Sequence, residues 1–310
     1  MKLSPIVLFV YNRLQHTKET VEALQKNYMA SESDLIIFSD GWKNQEYRKE
    51  VEEVRNYIKT ITGFKSLKIY ENTENSGLAR SIISGVSKII NEYGKIIVLE
   101  DDMLTSQHFL EYMNNGLNMY ENDSNVISIH GYVSPTKEKL PETFFIKGAD
   151  CWGWATWKRG WDIFEPDGKK LLKELKKGKL LKEFDFSNSF PYSKMLKAQI
   201  NGKNNSWAIR WYASAFLKDK LTLYPGKSLI YNTGFDGSGT HCDSDDVYNK
   251  LDSIFDIKIE VSRIEIKENL SARKSIINYF KTIKKTILEK ILIKIKKIFL
   301  LEKTNIDKIV

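Results

Sequence analysis

Ile96-Ile97-Val98-Leu99-Glu100-Asp101-Asp102-Met103 decides how the chain is read. Four apolar residues, two Ile and a Val among them, run into three consecutive carboxylates. That is the pattern of a strand buried on both faces that delivers its charge where it leaves the sheet. Open α/β sheets bind ligands at that edge. Neighbouring carboxylates repel and raise one another's pKa, so an arrangement that keeps them ionised usually supplies a cation. Oxygen donors of this kind suit Mg2+ or Mn2+. An ordinary acidic turn would carry the same letters, and the flanking sequence decides between the two.

Upstream, Ile6–Val10 reads as a first buried strand ending at Tyr11-Asn12-Arg13, followed by a helix over 17–27. A second apolar run, 34–39, closes on Asp40-Gly41; a charged helix is predicted over 44–62, and a third strand over 67–70. Leu78, Ile82, Val86, Ile89 and Ile90 recur at helical spacing, which predicts a helix over 78–93 stopped by Gly94. A helix over 109–120 and a strand over 126–130 follow. Strand and helix alternate, so short connections force these strands to run parallel. No G-x-G-x-x-G and no phosphate-binding P-loop occurs. The strand ends carry Asn12-Arg13, Asp40 and the acidic triplet instead. Such a rim offers an Arg for phosphate or base, a carboxylate for ribose or a base N–H, and acids for a cation. In Asn75-Ser76-Gly77-Leu78-Ala79-Arg80, a helix N-terminus with an Arg in its first turn would attract an anion.

After residue 131 the pattern changes. Four of the seven Trp fall within ten residues, at 152, 154, 157 and 161, beside Asp150. Trp at this density fills cores, and beside Gly it also builds flat walls against sugar rings. Trp207 and Trp211 are one helical turn apart. Residues 169–184, rich in Lys and Leu, read as a solvated helix or insert without chemistry, and 221–225 as a strand. The Gly-rich run Asn232 to Asp243 could fold over a ligand and contains Asp236 and His241.

The formal charge is +8, but residues 274–310 carry a net +7 and leave +1 on the body. Nucleic acid is therefore not an expected partner. The tail repeats Ile, Leu or Phe every three or four residues with Lys between, as in a helix lying on an anionic membrane surface, although the same face could pack on the body. Only Cys151 and Cys242 occur, without C-x-x-C spacing, which suits a reducing compartment. No run reaches the ~18 apolar residues of a membrane span, and the N-terminus lacks a cleavage site of the secretory kind. The expected location is cytoplasmic, peripheral to the inner face of the membrane. The expected organisation is a Rossmann-like first half (1–130), a second half of the same domain (131–270) and a helical tail (271–310).

Together, the stretches at 9–13, 38–40, 78–80, 98–102 and 153–154, with the closing loop at His241, resemble the GT-A glycosyltransferases that use nucleotide sugars. Bacterial sugar transferases look closest, and the N-acetylglucosaminyltransferases of N-glycan and O-mannose glycan synthesis are more distantly similar. The resemblance implies an α/β fold with a mostly parallel sheet flanked by helices. It implies that Tyr11, Asn12, Arg13, Asp40, Leu78, Arg80, Glu100 and Asp101 meet the nucleotide sugar, and that Asp102, with His241, holds Mn2+ or Mg2+. Trp152, Trp154, Trp207 and Trp211 would face the acceptor, a glycan or lipid-linked glycan. The expected activity is transfer from a nucleotide diphosphate sugar, UDP-sugars favoured, to a glycan hydroxyl in bacterial surface polysaccharide synthesis, with inversion. One departure stands out: the eukaryotic enzymes place a Trp-Asp pair where this chain has Trp207-Ala208. Asp150, and after it Asp236, are the remaining candidates for the base. A non-catalytic sugar-binding module and a glycoside hydrolase are the rival readings, the latter disfavoured because hydrolase acids face each other ~5–9.5 Å apart across a cleft.

Overall fold

The computed structural model describes residues 3–234 and 254–284. The expected alternation is present: β1 (Ile6–Val10), α1 (Leu14–Gln25), β2 (Asp34–Ser39), α2 (Arg48–Ile58), β3 (Ser66–Glu71), α3 (Leu78–Tyr93) and β4 (Lys95–Glu100). Then come β5 (Met103–Thr105), α4 (Phe109–Met119), β6 (Val126–His130), β7 (Thr143–Lys147), β8 (Trp154–Trp157), α5 (Lys158–Trp161), α6 (Gly168–Lys177), α7 (Leu181–Phe184), α8 (Tyr192–Ile200), α9 (Ala208–Leu217), β9 (Leu221–Pro225) and β10 (Ile230–Asn232). The main sheet runs β3-β2-β1-β4-β8-β6-β9-β7, and β5 pairs with β10 apart from it.

Strands β1 to β4 are parallel to their neighbours, as the short connections require. Along β1 the side chains alternate between two cores: Ile6, Leu8 and Val10 pack toward α1, α2 and α4, while Val7 and Phe9 pack toward α3. Helix α3 turns its apolar stripe inward and ends at Gly94, whose φ of 80° lets its N–H return to Ile90 O at 2.9 Å.

The departure lies beyond β4. The strand 126–130 does not adjoin it; β8 is inserted antiparallel between β4 and β6. Part of the Trp-rich stretch is thus a central strand. Trp154 points into the core shared with α3 and meets Trp207 at 5.4 Å, Trp161 and Trp211 each at 5.8 Å between ring centroids. Trp154, Trp207 and Trp211 are at most 3% exposed. Their rings are enclosed by one another, so the acceptor role expected of these three does not hold: no face is open to a sugar. The Lys-rich region around 169–184 does not stand apart in solvent either. It forms α6 and α7, whose Leu171, Leu175 and Phe184 are buried with α8 and α9.

A helix over 270–284 packs on the same layer. Ala272 and Ile276 are buried there, and Phe280 lies 4.7 Å from the Phe190 ring. Arg273 donates to Glu268 Oε1 at 2.7 Å and to Glu183 O at 2.6 Å. The first turns of the tail therefore lie against the body and are not free for a membrane. Residues 285–310 lie outside the described residues, as do Asp236 and His241. Among the described residues, no helix is long and apolar enough to cross a membrane.

Candidate active site

Three neighbouring parallel strands, β2, β1 and β4, end side by side, and each delivers polar groups at its carboxyl end: Asp40, then Asn12 and Arg13, then Glu100, Asp101 and Asp102. The hydrophobic runs are buried strands because both their faces are covered, so the first residue to escape the layers can carry charge.

The centre of this lip is a salt-bridge cluster. Arg13 Nη2 donates to Asp102 Oδ2 at 2.9 Å and also binds Asp101 Oδ1. The main chain here is anchored from behind, with Thr20 Oγ1 donating to Asp101 O at 2.8 Å. Asp101 and Asp102 are almost fully buried. Burial raises the Asp101 carboxyl despite the opposing pull of Arg13, and the two acids hold the guanidinium charged against its own desolvation. Glu100 is pushed up to about 8, by burial first and then by the carboxylates of Asp102 and Asp101. One arginine thus does not neutralise three acids. Asp102 Oδ1 is buried without a hydrogen-bond partner among the described residues.

That orphaned oxygen tests whether a cation fits. An all-oxygen donor set with excess negative charge suits Mg2+ or Mn2+, and Asp102 Oδ1 is the atom with free lone pairs. The described residues do not include three His, Cys, Asp or Glu side chains grouped as a complete cage.

The β5–β10 ribbon brings a second segment to the same place. Thr233 N donates to Asp102 O at 2.9 Å, and Gly234 N to Asn232 Oδ1 at 2.7 Å. A Cβ on Gly234 would fall on Asp102 Oδ2, well inside van der Waals contact. The Gly-rich run therefore starts against the acidic triplet.

The Asp40 carboxylate accepts the N–H groups of Ser76 (3.0 Å) and Gly77 (2.8 Å) and the Asn72 side chain (3.1 Å). It fixes the loop that launches α3. Tyr11 is half-buried, its hydroxyl accepting Lys43 N–H at 3.1 Å. Asn12 is half-buried, and Leu78 and Arg80 are exposed on the first turn of α3.

Because β8 runs antiparallel to β4 with Trp154 opposite Val98, the residues just before it enter from the lip. Asp150 is half-buried there, its Oδ1 accepting Cys151 N–H at 2.9 Å. The Cys151 thiol is raised by burial first, and then by the charges of Asp150, Glu100 and Asp102. Trp152 is half-buried and packs edge-on against Tyr132 at 4.7 Å between centroids. Sequence reasoning missed His130, which ends β6. Its Nε2 accepts Trp152 N–H at 3.1 Å, so the fully buried ring is neutral with the proton on Nδ1. Burial lowers its pKa, with Asp150 and the Tyr132 backbone pulling the other way. The signal was available: His130 is one more polar residue at the end of a buried strand.

Several solved structures share weak likeness with the chain. The mannosyltransferase PcManGT from Pyrobaculum calidifontis, in complex with GDP-Man and Mn2+, is 14% identical over 43% of this chain and 36% of its own, with a TM-score of 0.32. TarS from S. aureus is 16% identical over 47% of this chain and 24% of its own, with a TM-score of 0.31. A UDP-glucose pyrophosphorylase complexed with UDP-glucose is 13% identical over 74% and 93%, with a TM-score of 0.37. The chain thus spans about a third of the mannosyltransferase and a quarter of TarS, and likeness at this level decides nothing about mechanism. No curated protein sequence matches significantly. The model of glycosyl transferase family 2, by contrast, matches residues 6–177, more than half of the chain and the whole of the lip described above. With the expected GT-A layering in place beneath that match, the chain belongs to glycosyl transferase family 2.

Proposed function

We propose that the protein transfers a sugar from a nucleotide diphosphate sugar, UDP-sugars favoured, to a hydroxyl of a glycan acceptor, with inversion at the anomeric carbon. The observation that carries this is the Arg13–Asp101–Asp102 cluster with its unpartnered Asp102 Oδ1, on the carboxyl edge of a parallel sheet. Asp102 would hold Mn2+ or Mg2+, which when bound supplies Lewis-acid stabilisation of a departing diphosphate. Arg13 keeps Asp101 and Asp102 in place and limits their mutual repulsion. Arg80, exposed at the positive end of α3, offers its guanidinium to the diphosphate. Asp150, at the entry to β8, accepts the proton of the attacking hydroxyl, and Trp152 borders the acceptor. The donor half then lies in 1–130 and the acceptor half in 131–270. A lipid-linked acceptor in bacterial surface polysaccharide synthesis, reached from the inner membrane face, would leave membrane contact to residues 285–310.

Screening UDP-, GDP- and dTDP-sugars with Mn2+ for thermal stabilisation, then assaying sugar release from those that stabilise, tests the reading. Stabilisation and release by at least one UDP-sugar are expected. Ala208, at the start of α9, supports a rival reading as a binding module without a base. Binding without release from any donor, with or without added glycans, would favour that rival.

A further inference from the structure

A groove of about 400 Å³ runs between α3 and the start of α9. Its walls include Ala79, Arg80, Ile83 and Ser87 from α3, with Asn205 and Arg210 opposite. Arg210 is 8% exposed. Its Nε donates to Ser206 O at 3.1 Å and its Nη1 to Pro166 O at 3.2 Å. Those carbonyls orient the guanidinium without neutralising it. No carboxylate pairs with it among the described residues, and burial alone lowers its pKa, with no acid opposing. Nη2 donates to none of the described residues. Arg80 is exposed and likewise forms no ion pair among them. Ser87 Oγ accepts Trp161 Nε1–H at 2.8 Å, which leaves its own proton to give. Asn205 is exposed and bonds to no described residue.

A cation largely removed from water without a counter-charge is costly, and a groove that sets the buried Arg210 opposite the exposed Arg80, beside neutral donors, suits an anion. Guanidinium forks match tetrahedral oxyanions in geometry as well as charge. The apolar Ala79 and Ile83 suit the body of a small organic group that carries such an oxyanion, and the volume is that of a small-molecule site.

We propose that the groove between α3 and α9 is a second anion site, separate from the acidic lip, which takes a phosphate group of a phosphorylated ligand other than the bound nucleotide. Arg80, at the groove's edge, is the cation offered to the donor's diphosphate under the proposed function, so Arg210 and Asn205 carry this second site, and persistence of phosphate binding under UDP separates the two. Inorganic phosphate is titrated into the full chain with Mg2+ against chloride at matched ionic strength, with and without saturating UDP, by calorimetry and thermal shift. Saturable phosphate binding that persists under UDP is expected. Arg210→Gln should weaken it by about tenfold or more, since a charge-assisted hydrogen bond is removed. Asn205→Asp, which places a carboxylate on an exposed position, should weaken it by about threefold or more. Phosphate binding abolished by UDP would assign the groove to the donor and overturn the proposal. So would wild-type phosphate affinity in both variants, or no phosphate binding at all. If Arg210→Gln does not fold, Asn205→Asp decides alone. A chain that binds phosphate through these residues but not UDP would uphold the groove while refuting the donor reading.

Discussion

Arg13 Nη2 stands 2.9 Å from Asp102 Oδ2, joining the loop after β1 to the end of β4, and the same guanidinium holds Asp101. The pair keeps two buried acids in place while leaving Asp102 Oδ1 without a partner among the described residues. Replacing Arg13 by Met leaves those carboxylates without a counter-ion. The expected loss is about 3 kcal/mol or more of unfolding free energy in urea, as for other broken buried pairs. Mn2+ should restore part of it; a variant as stable as wild type would show that the pair does not hold the lip together.

Thr233 N donates to Asp102 O, and the space a Cβ on Gly234 would need is taken by Asp102 Oδ2. Gly234→Ala pushes a methyl onto Asp102 Oδ2, so turnover should fall about 10- to 100-fold through misplacement of the carboxylate. The melting temperature should change little, and kinetics beside a thermal melt check both halves of the expectation. Unchanged turnover would mean that the position of Asp102 is immaterial.

His130 supplies a pH dependence. Its folded pKa is lowered by burial, so the unfolded chain takes up a proton that the folded chain refuses. The resulting stability is present above about pH 6.5 and is lost as pH falls below it. The groups facing the ring are the Asp150 carboxylate, the Tyr132 backbone and ring, and the Tyr224 ring at 4.9 Å. His130→Gln should flatten the fall in urea stability between about pH 7 and 5. An identical slope in the variant would remove His130 as its source.

The tryptophans divide by burial. Trp211→Ala opens a cavity among Trp154, Trp161 and Trp207 and should cost about 3–5 kcal/mol. Trp152→Ala, at a half-buried ring, should instead raise acceptor KM with a smaller effect on melting. Equal stability losses with unchanged acceptor KM would place Trp152 in the core as well.

Much of this was legible in the chain itself. The apolar runs of β1, β2, β4 and β6, and the stripe of α3, are local patterns that burial on both faces imposes, and their polar ends marked the lip. Arg13 and the acidic triplet could be named as site residues. Their direct pairing could not, because the partners are 88 and 89 residues apart and only β1–β4 register joins them. Trp154–Trp157 was misread for a related reason: its letters fit a ligand wall as well as a strand, and only pairing with Val98 and His130 fixes it as central. Asp40 looked outward because a carboxylate ends its strand, yet the amides of Ser76 and Gly77, 36 and 37 residues on, claim it.

The most direct measurement is calorimetric titration of UDP into the full chain with and without Mn2+, for wild type and Asp102→Asn. Mn2+ is expected to tighten UDP binding in wild type by about tenfold or more and to leave the variant's weaker binding unchanged. Equal enhancement by Mn2+ in both proteins, or none in wild type, would contradict a cation held by Asp102.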